Sequence, residues 1–112
     1  MANEISDEAI TRGGANVFAD LGFADAEERQ TRLRLAHAIN QAIASKRLSQ
    51  AQAAARLGVG QPKVSALANY KLDGFSVERL MTFLTSLDRD VEITIKKRGR
   101  SRGTGRIVVV AA

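Results

Sequence analysis

Residues 48–67 constrain this chain more than any other part of its sequence. Ser49 offers a hydroxyl that can cap a helix, and the alanine-rich run after it favours helix. Gly58 stands where that helix must end and the backbone must turn, because glycine tolerates a positive φ. Pro62 suits the first turn of a second helix, where its missing N–H costs little. The sequence therefore predicts two short helices, over about 50–57 and 61–69, joined by a tight turn.

Small and aliphatic side chains give these two helices a common core. Ala54 is small where the helices would cross, and the residues spaced to share one core are Leu57, Val59, Val64 and Leu67. Two helices joined in this way form a helix-turn-helix, whose second helix enters the major groove of DNA. The stretch therefore predicts a DNA-binding module.

The charged residues are sorted along the chain. Residues 1–30 hold seven acids and two bases, residues 31–71 hold seven bases and no acid, and the remainder brings the net charge to +5. The acid-free block covers the predicted motif and the helix before it, as expected for a surface that contacts phosphate. The alternative is a basic face that is merely solvated.

The motif resembles the helix-turn-helix of Xre/Cro-class repressors at the following positions: Gln50, Ala54, Gly58, Val59, Val64, Ser65 and Leu67. The flanking segments 16–22, 75–81 and 84–93 extend the likeness over roughly residues 14–96, and together they look like HigA-type antitoxins. This resemblance implies an autorepressor that binds its own operator in double-stranded DNA as a homodimer. It also implies a partner, a small basic ribonuclease toxin of the HigB or RelE type.

The expected fold is mainly α, a four- to five-helix Xre/Cro-like domain with a short C-terminal β-strand or hairpin. Residues 1–24 form an acidic segment in which 16–22 read as a strand or turn, residues 25–90 form the DNA-binding domain, and residues 91–112 form the hairpin region. Asp25 is predicted to cap a long helix ending near Ser45, and Ser76 to cap a helix ending near Leu87. Alternation over 91–96 and the β-branched run 106–110 predict two strands around a basic loop, Lys96 to Arg106. The last helix and the hairpin are the predicted dimer surface, although they can equally cap their own core.

The predicted DNA contacts cluster at the second motif helix. Gln61 and Lys63 suit adenine and guanine edges, while Pro62 or Ala66 suits a thymine methyl. By resemblance, Gln50 binds a backbone phosphate, helped by the helix N-terminus. Further phosphate candidates are Ser65, Asn69, Tyr70 and Lys71, with Lys46 and Arg47 nearby in sequence. Gly60 departs from the family pattern, which usually has Ser or Thr as the cap of this helix.

The N-terminal segment carries the candidate toxin-binding residues, which are Phe18, Asp20, Leu21 and Phe23. An acidic and apolar segment suits a small basic partner electrostatically. The alternative is that this segment packs across the first helix. The basic loop can likewise add phosphate contacts or be a solvated tip.

Several classes of function find no support in the sequence. The chain has no cysteine, and its single histidine, His37, is expected to be a half-buried packing residue. No nucleophile–base pair, metal-ligand set or phosphate-binding glycine loop is present, so we expect no enzyme, cofactor or metal. No membrane span or signal peptide is evident, so a cytoplasmic location is expected. The alternatives to the antitoxin are a stand-alone Xre-type regulator and a protein-interaction adaptor that does not bind DNA.

Overall fold

The computed structural model describes residues 19–99 and 103–111, and within them the chain forms four α-helices. These are α1 (Ala19–Ser45), α2 (Gln50–Leu57), α3 (Gln61–Ala68) and α4 (Val77–Ser86). The mainly helical expectation is confirmed, and both motif helices lie where the sequence placed them. No helix in this part of the chain is long and apolar enough to cross a membrane.

Helix α1 begins six residues earlier than predicted. The sequence indicated a strand or turn over 16–22 and a cap at Asp25, but the chain is helical from Ala19 onward. Gly22 does not break the helix, because one glycine costs only about 1 kcal/mol against alanine and its neighbours favour helix. Asp25 instead lies inside α1, where its carboxylate forms an ion pair of 2.8 Å with Arg29 one turn later.

The core is aliphatic and lies where α1 packs on α4 and α2 packs on α3. Ile39, Leu67, Leu80 and Leu87 are fully buried at its centre. Of the predicted motif core, Ala54, Leu57 and Val64 are also buried, whereas Val59 is half-buried. Leu35 and Ala42 of α1 and Leu84 of α4 complete the buried set around them. The amide of Asn40 donates a 3.0 Å hydrogen bond to the carbonyl of Leu67, which fixes the end of α3 against α1.

Three of the four described helices end at a left-handed residue that is not glycine. After α1, the N–H of Leu48 reaches back to the carbonyl of Ile43 at 3.1 Å, and Arg47 between them has a φ of 56°. Tyr70 after α3 and Asp88 after α4 occupy the equivalent left-handed positions, with φ of 58° and 63°. This bonding pattern is the Schellman motif, which normally has glycine at the left-handed residue.

The predicted C-terminal strands are not present in residues 91–99 and 103–111. A two-stranded hairpin is marginal without a further surface to cover it, and here the two segments do not pair with each other. Val91 and Val109 pack against the core, and Arg34 Nη1 donates a 3.3 Å hydrogen bond to the carbonyl of Val109. The large aliphatic side chains in these segments are otherwise exposed, namely Ile93, Ile95, Ile107, Val108 and Val110.

Candidate nucleic-acid interface

The N-terminus of α2 is held by a reciprocal cap. The hydroxyl of Ser49 accepts a hydrogen bond from the N–H of Gln52 at 3.1 Å, and the N–H of Ser49 donates to Gln52 Oε1 at 2.9 Å. The sequence predicted the cap at Ser49 but not its partner. This capping box satisfies two backbone donors and places Gln50, which is exposed, in the first turn of α2.

Gly58 makes the turn between the motif helices, as predicted. Its φ is 71°, and the N–H of Val59 bonds back to the carbonyl of Ala54 at 3.0 Å. Gly60 then caps α3 without a side-chain hydrogen bond. Pro62 has no N–H, and the N–H of Lys63 bonds to Gly60 at 3.0 Å, so Gln61 supplies the unused donor in this first turn. A phosphate at this helix end therefore finds fewer free backbone N–H groups than a helix start usually offers.

The predicted DNA-contacting residues fall into two groups by exposure. Exposed residues are Gln50, Gln61, Pro62, Lys63, Asn69, Tyr70 and Lys71, while Ser65 and Ala66 are half-buried. Asn69 also has a structural contact, because its amide donates a 2.9 Å hydrogen bond to the carbonyl of Ser65. The N-terminal turn of α3 and the start of the loop after it are thus both exposed.

Lys63 has a contact that the sequence did not indicate. Its ammonium lies 5.1 Å from the centre of the Phe75 ring, within the range of a cation–π interaction. Gly74 leaves room for it, since a Cβ at that residue would lie 3.4 Å from Lys63 Nζ. The lysine must leave this ring to reach a base edge.

Tyr70 and His37 form a second unexpected contact. The Tyr70 hydroxyl lies 3.2 Å from His37 Nδ1, which joins the loop after α3 to α1. His37 is exposed, so the expectation of a half-buried packing residue is wrong. Tyr70 therefore combines a left-handed backbone with a hydroxyl contact to α1.

Asp88, just after α4, pairs with two basic residues of the acid-free block 31–71. Its carboxylate is 2.7 Å from Lys46 Nζ and 3.0 Å from Arg56 Nη2. The hydrogen bond from Lys46, its positive charge and that of Arg56 lower the pKa of Asp88 below its ordinary value. Two acids from outside the acid-free block therefore lie beside its cations in the folded chain. One is Asp88, and the other is Glu28, which pairs with Arg32 at 3.5 Å. Among the described residues, Arg47 and Lys71 have no acidic partner.

Three of the four candidate toxin-binding residues lie at the N-terminal end of α1. Asp20, Leu21 and Phe23 belong to its first two turns, whereas Phe18 lies outside the described residues. Glu28, Arg29 and Gln30 are exposed, and the first buried side chain described along α1 is Thr31. The residues described contain no group of three or more potential metal ligands.

Comparison with known proteins identifies this arrangement. A family profile described as a helix-turn-helix domain matches residues 17–96. A solved structure described as an XRE family transcriptional regulator is similar at 72% sequence identity and a TM-score of 0.74, over 79% of this chain and 99% of that one. The comparison with curated proteins gives no match.

Proposed function

This chain belongs to the XRE family of helix-turn-helix transcriptional regulators, and on that basis we propose that it is a repressor of its own promoter. It binds double-stranded operator DNA as a homodimer, with α3 of each subunit in the major groove. Gln61 and Lys63 read base edges, Pro62 or Ala66 contacts a thymine methyl, and Gln50 binds a phosphate. Ser65, Asn69, Tyr70 and Lys71 contribute the remaining contacts, mostly to phosphate.

The observation that carries this proposal is the exposed N-terminal turn of α3. Gln61 and Lys63 combine an amide and an ammonium on a helix that the Gly58 turn and the Asn40 hydrogen bond hold rigidly on the core. Arg47 precedes α2 and Lys71 follows α3, and neither has an acidic partner among the described residues. Amide and ammonium side chains for base edges, with unpaired cations beside them for phosphate, are what a major-groove reader requires.

The experiment is a titration of the purified protein against DNA from upstream of its own gene, beside scrambled DNA, at physiological salt. A specific regulator prefers its own site by about 10³-fold or more. We expect the double variant Gln61→Ala with Lys63→Ala to lose this preference while weak, salt-sensitive binding remains.

The matched control is Gln41→Ala with Arg29→Ala, which removes one glutamine and one cationic side chain from exposed positions on α1. This control should keep the preference. A Gln61/Lys63 variant that still prefers the operator would show that α3 is not the reading element.

We further propose that the regulator is the antitoxin of a toxin–antitoxin pair, with the start of α1 as its toxin-binding element. The supporting observation is the excess of acids in residues 1–30, together with Phe18, Leu21 and Phe23, near the helix end farthest from α2. A small basic ribonuclease would be attracted by such an acidic segment. A stand-alone XRE regulator needs no such partner, and the gene directly adjacent distinguishes the two, because an antitoxin predicts a small basic ribonuclease there.

The test uses the protein encoded by that adjacent gene. We expect Phe18→Asp to abolish its binding in a calorimetric titration, because a charge replaces an apolar contact, while operator binding is unchanged. Ala2→Asp is the matched control and should retain binding. Full toxin binding by Phe18→Asp would exclude this segment as the docking element.

A further inference from the structure

Residues 90–98 form a segment outside every helix of the described chain, and the side chains of 92–97 are exposed. Val91 packs on the core, but Ile93 is 74% exposed and Ile95 is 93% exposed. None of the backbone groups of residues 91–96 has a hydrogen-bond partner among the described residues. Unpaired backbone beside exposed β-branched side chains is the signature of a strand that lacks its neighbour.

The order of side chains in this segment is complementary to itself. If two copies run antiparallel with Thr94 facing Thr94, then Glu92 of one copy faces Lys96 of the other, and Ile93 faces Ile95. Opposite charges and paired β-branched residues are both favourable directly across a strand pair.

The proposed ribbon has one polar face and one apolar face, as a sheet that is buried on one side requires. Glu92, Thr94 and Lys96 lie on one face, because alternate residues of a strand point the same way. Val91, Ile93 and Ile95 lie on the other face, and Val91 already contacts the core of its own subunit. The isoleucines of both copies thus extend this apolar face from one subunit to the next.

We propose that residues 90–98 are the dimer interface, and that they form a two-fold antiparallel ribbon with a second copy of this chain, centred on Thr94. The partner is a second copy because the charge order matches its own reversal. Within one chain Glu92 and Lys96 are roughly 13 Å apart along a strand, too far for contact. This inference rests on the homodimer of the proposed function and assigns the interface of that dimer.

Charge exchange tests the register. We expect the wild-type protein to sediment at twice its 12.1 kDa chain mass at micromolar concentrations. Glu92→Lys and Lys96→Glu should each weaken dimerisation roughly tenfold, because each places like charges opposite one another twice in the symmetric ribbon. The two changes combined should restore the wild-type dimer. Glu78→Lys on α4 changes the net charge as Glu92→Lys does and should leave dimerisation unaffected.

A single cysteine tests the axis independently. The chain has no cysteine, so Thr94→Cys introduces one thiol that faces its own copy. Directly opposed residues in an antiparallel pair have Cα atoms about 4.5–5.5 Å apart, within the range of a disulfide. Mild oxidation should therefore cross-link this variant nearly completely, whereas Thr85→Cys on the exposed side of α4 should stay largely monomeric on a denaturing gel.

Two results would overturn the interface. One is a wild-type protein that remains monomeric at tens of micromolar, and the other is a Glu92/Lys96 double variant no better than its parents. Neither result would change the proposed role of α3 in recognising bases, because the Gln61/Lys63 titration measures base preference in whichever oligomer binds. If operator preference were absent while the ribbon still formed, the repressor proposal would fail and the dimer proposal would stand.

Discussion

The side chains that end three helices do more than stop them. Arg47, Tyr70 and Asp88 each occupy a left-handed position that glycine would fill with less strain. Tyr70 contacts His37, and Asp88 pairs with Lys46 and Arg56. Tyr70 and Asp88 therefore each place a side chain that makes a surface contact, which glycine could not do.

The Asp88 carboxylate should make stability depend on pH. Its pKa is lowered in the folded chain, so it stabilises the fold above pH 3.8, and this contribution disappears as pH falls through its lowered pKa. Asp88→Asn keeps a residue that tolerates the left-handed backbone and removes the charge. We expect urea unfolding to show the variant less stable at pH 7, with the difference shrinking below pH 3.8.

Asp73→Asn is the control for this titration, because Asp73 is exposed and has no ion pair among the described residues. Its stability difference from wild type should be small at every pH. A constant deficit for Asp88→Asn between pH 7 and pH 2.5 would mean that the ion pairs do not carry the effect.

At the scale of elements, the sequence predicted what short-range chemistry determines. Ser49, Gly58 and Ser76 act within a few residues, and the starts and ends they predicted are found. The C-terminal strands and the start of α1 were mispredicted, because β-propensity needs a partner strand and a single Gly22 is too weak a signal to end a helix. The contacts of Lys63 with Phe75 and of Lys46 with Asp88 join residues distant in sequence, which periodicity cannot reveal.

At the turn between α2 and α3, the free-energy cost of a left-handed backbone can be measured separately from any steric clash. A Cβ at Gly58 would meet nothing within 4 Å, so Gly58→Ala tests only the left-handed conformation. We expect it to lower the free energy of unfolding by about 1 kcal/mol. Gly60→Ser, at an ordinary φ of −78°, should change stability by only a few tenths of a kcal/mol. Equal effects at both glycines in thermal unfolding would contradict this account.

At the scale of the whole molecule, the net charge of +5 overstates the cations available to DNA near the motif. Lys46 and Arg56 share Asp88, and Arg32 pairs with Glu28, whereas Arg47 has no acidic partner among the described residues. Counting charges along the sequence therefore overestimates the number of cations near the motif that are free to contact phosphate.

This difference predicts how salt affects operator binding. Arg47→Ala should reduce the slope of log K against log salt by about 1, because one phosphate contact is lost. Arg56→Ala removes the same side chain from beside Asp88 and should change the slope less. Binding constants measured between about 50 and 200 mM salt decide this, and equal slopes for both variants would contradict the pairing argument.

Helix α1 sets a distance between the two ends of the molecule. From Asp25 to Ser45 it spans about 30 Å, several times the roughly 8 Å over which charges interact at physiological salt. The acids in the first turns of α1 therefore interact only weakly with charges at the opposite end of this helix, where α2 begins. A charge change at one of these two ends should leave the electrostatics of the other end almost unchanged.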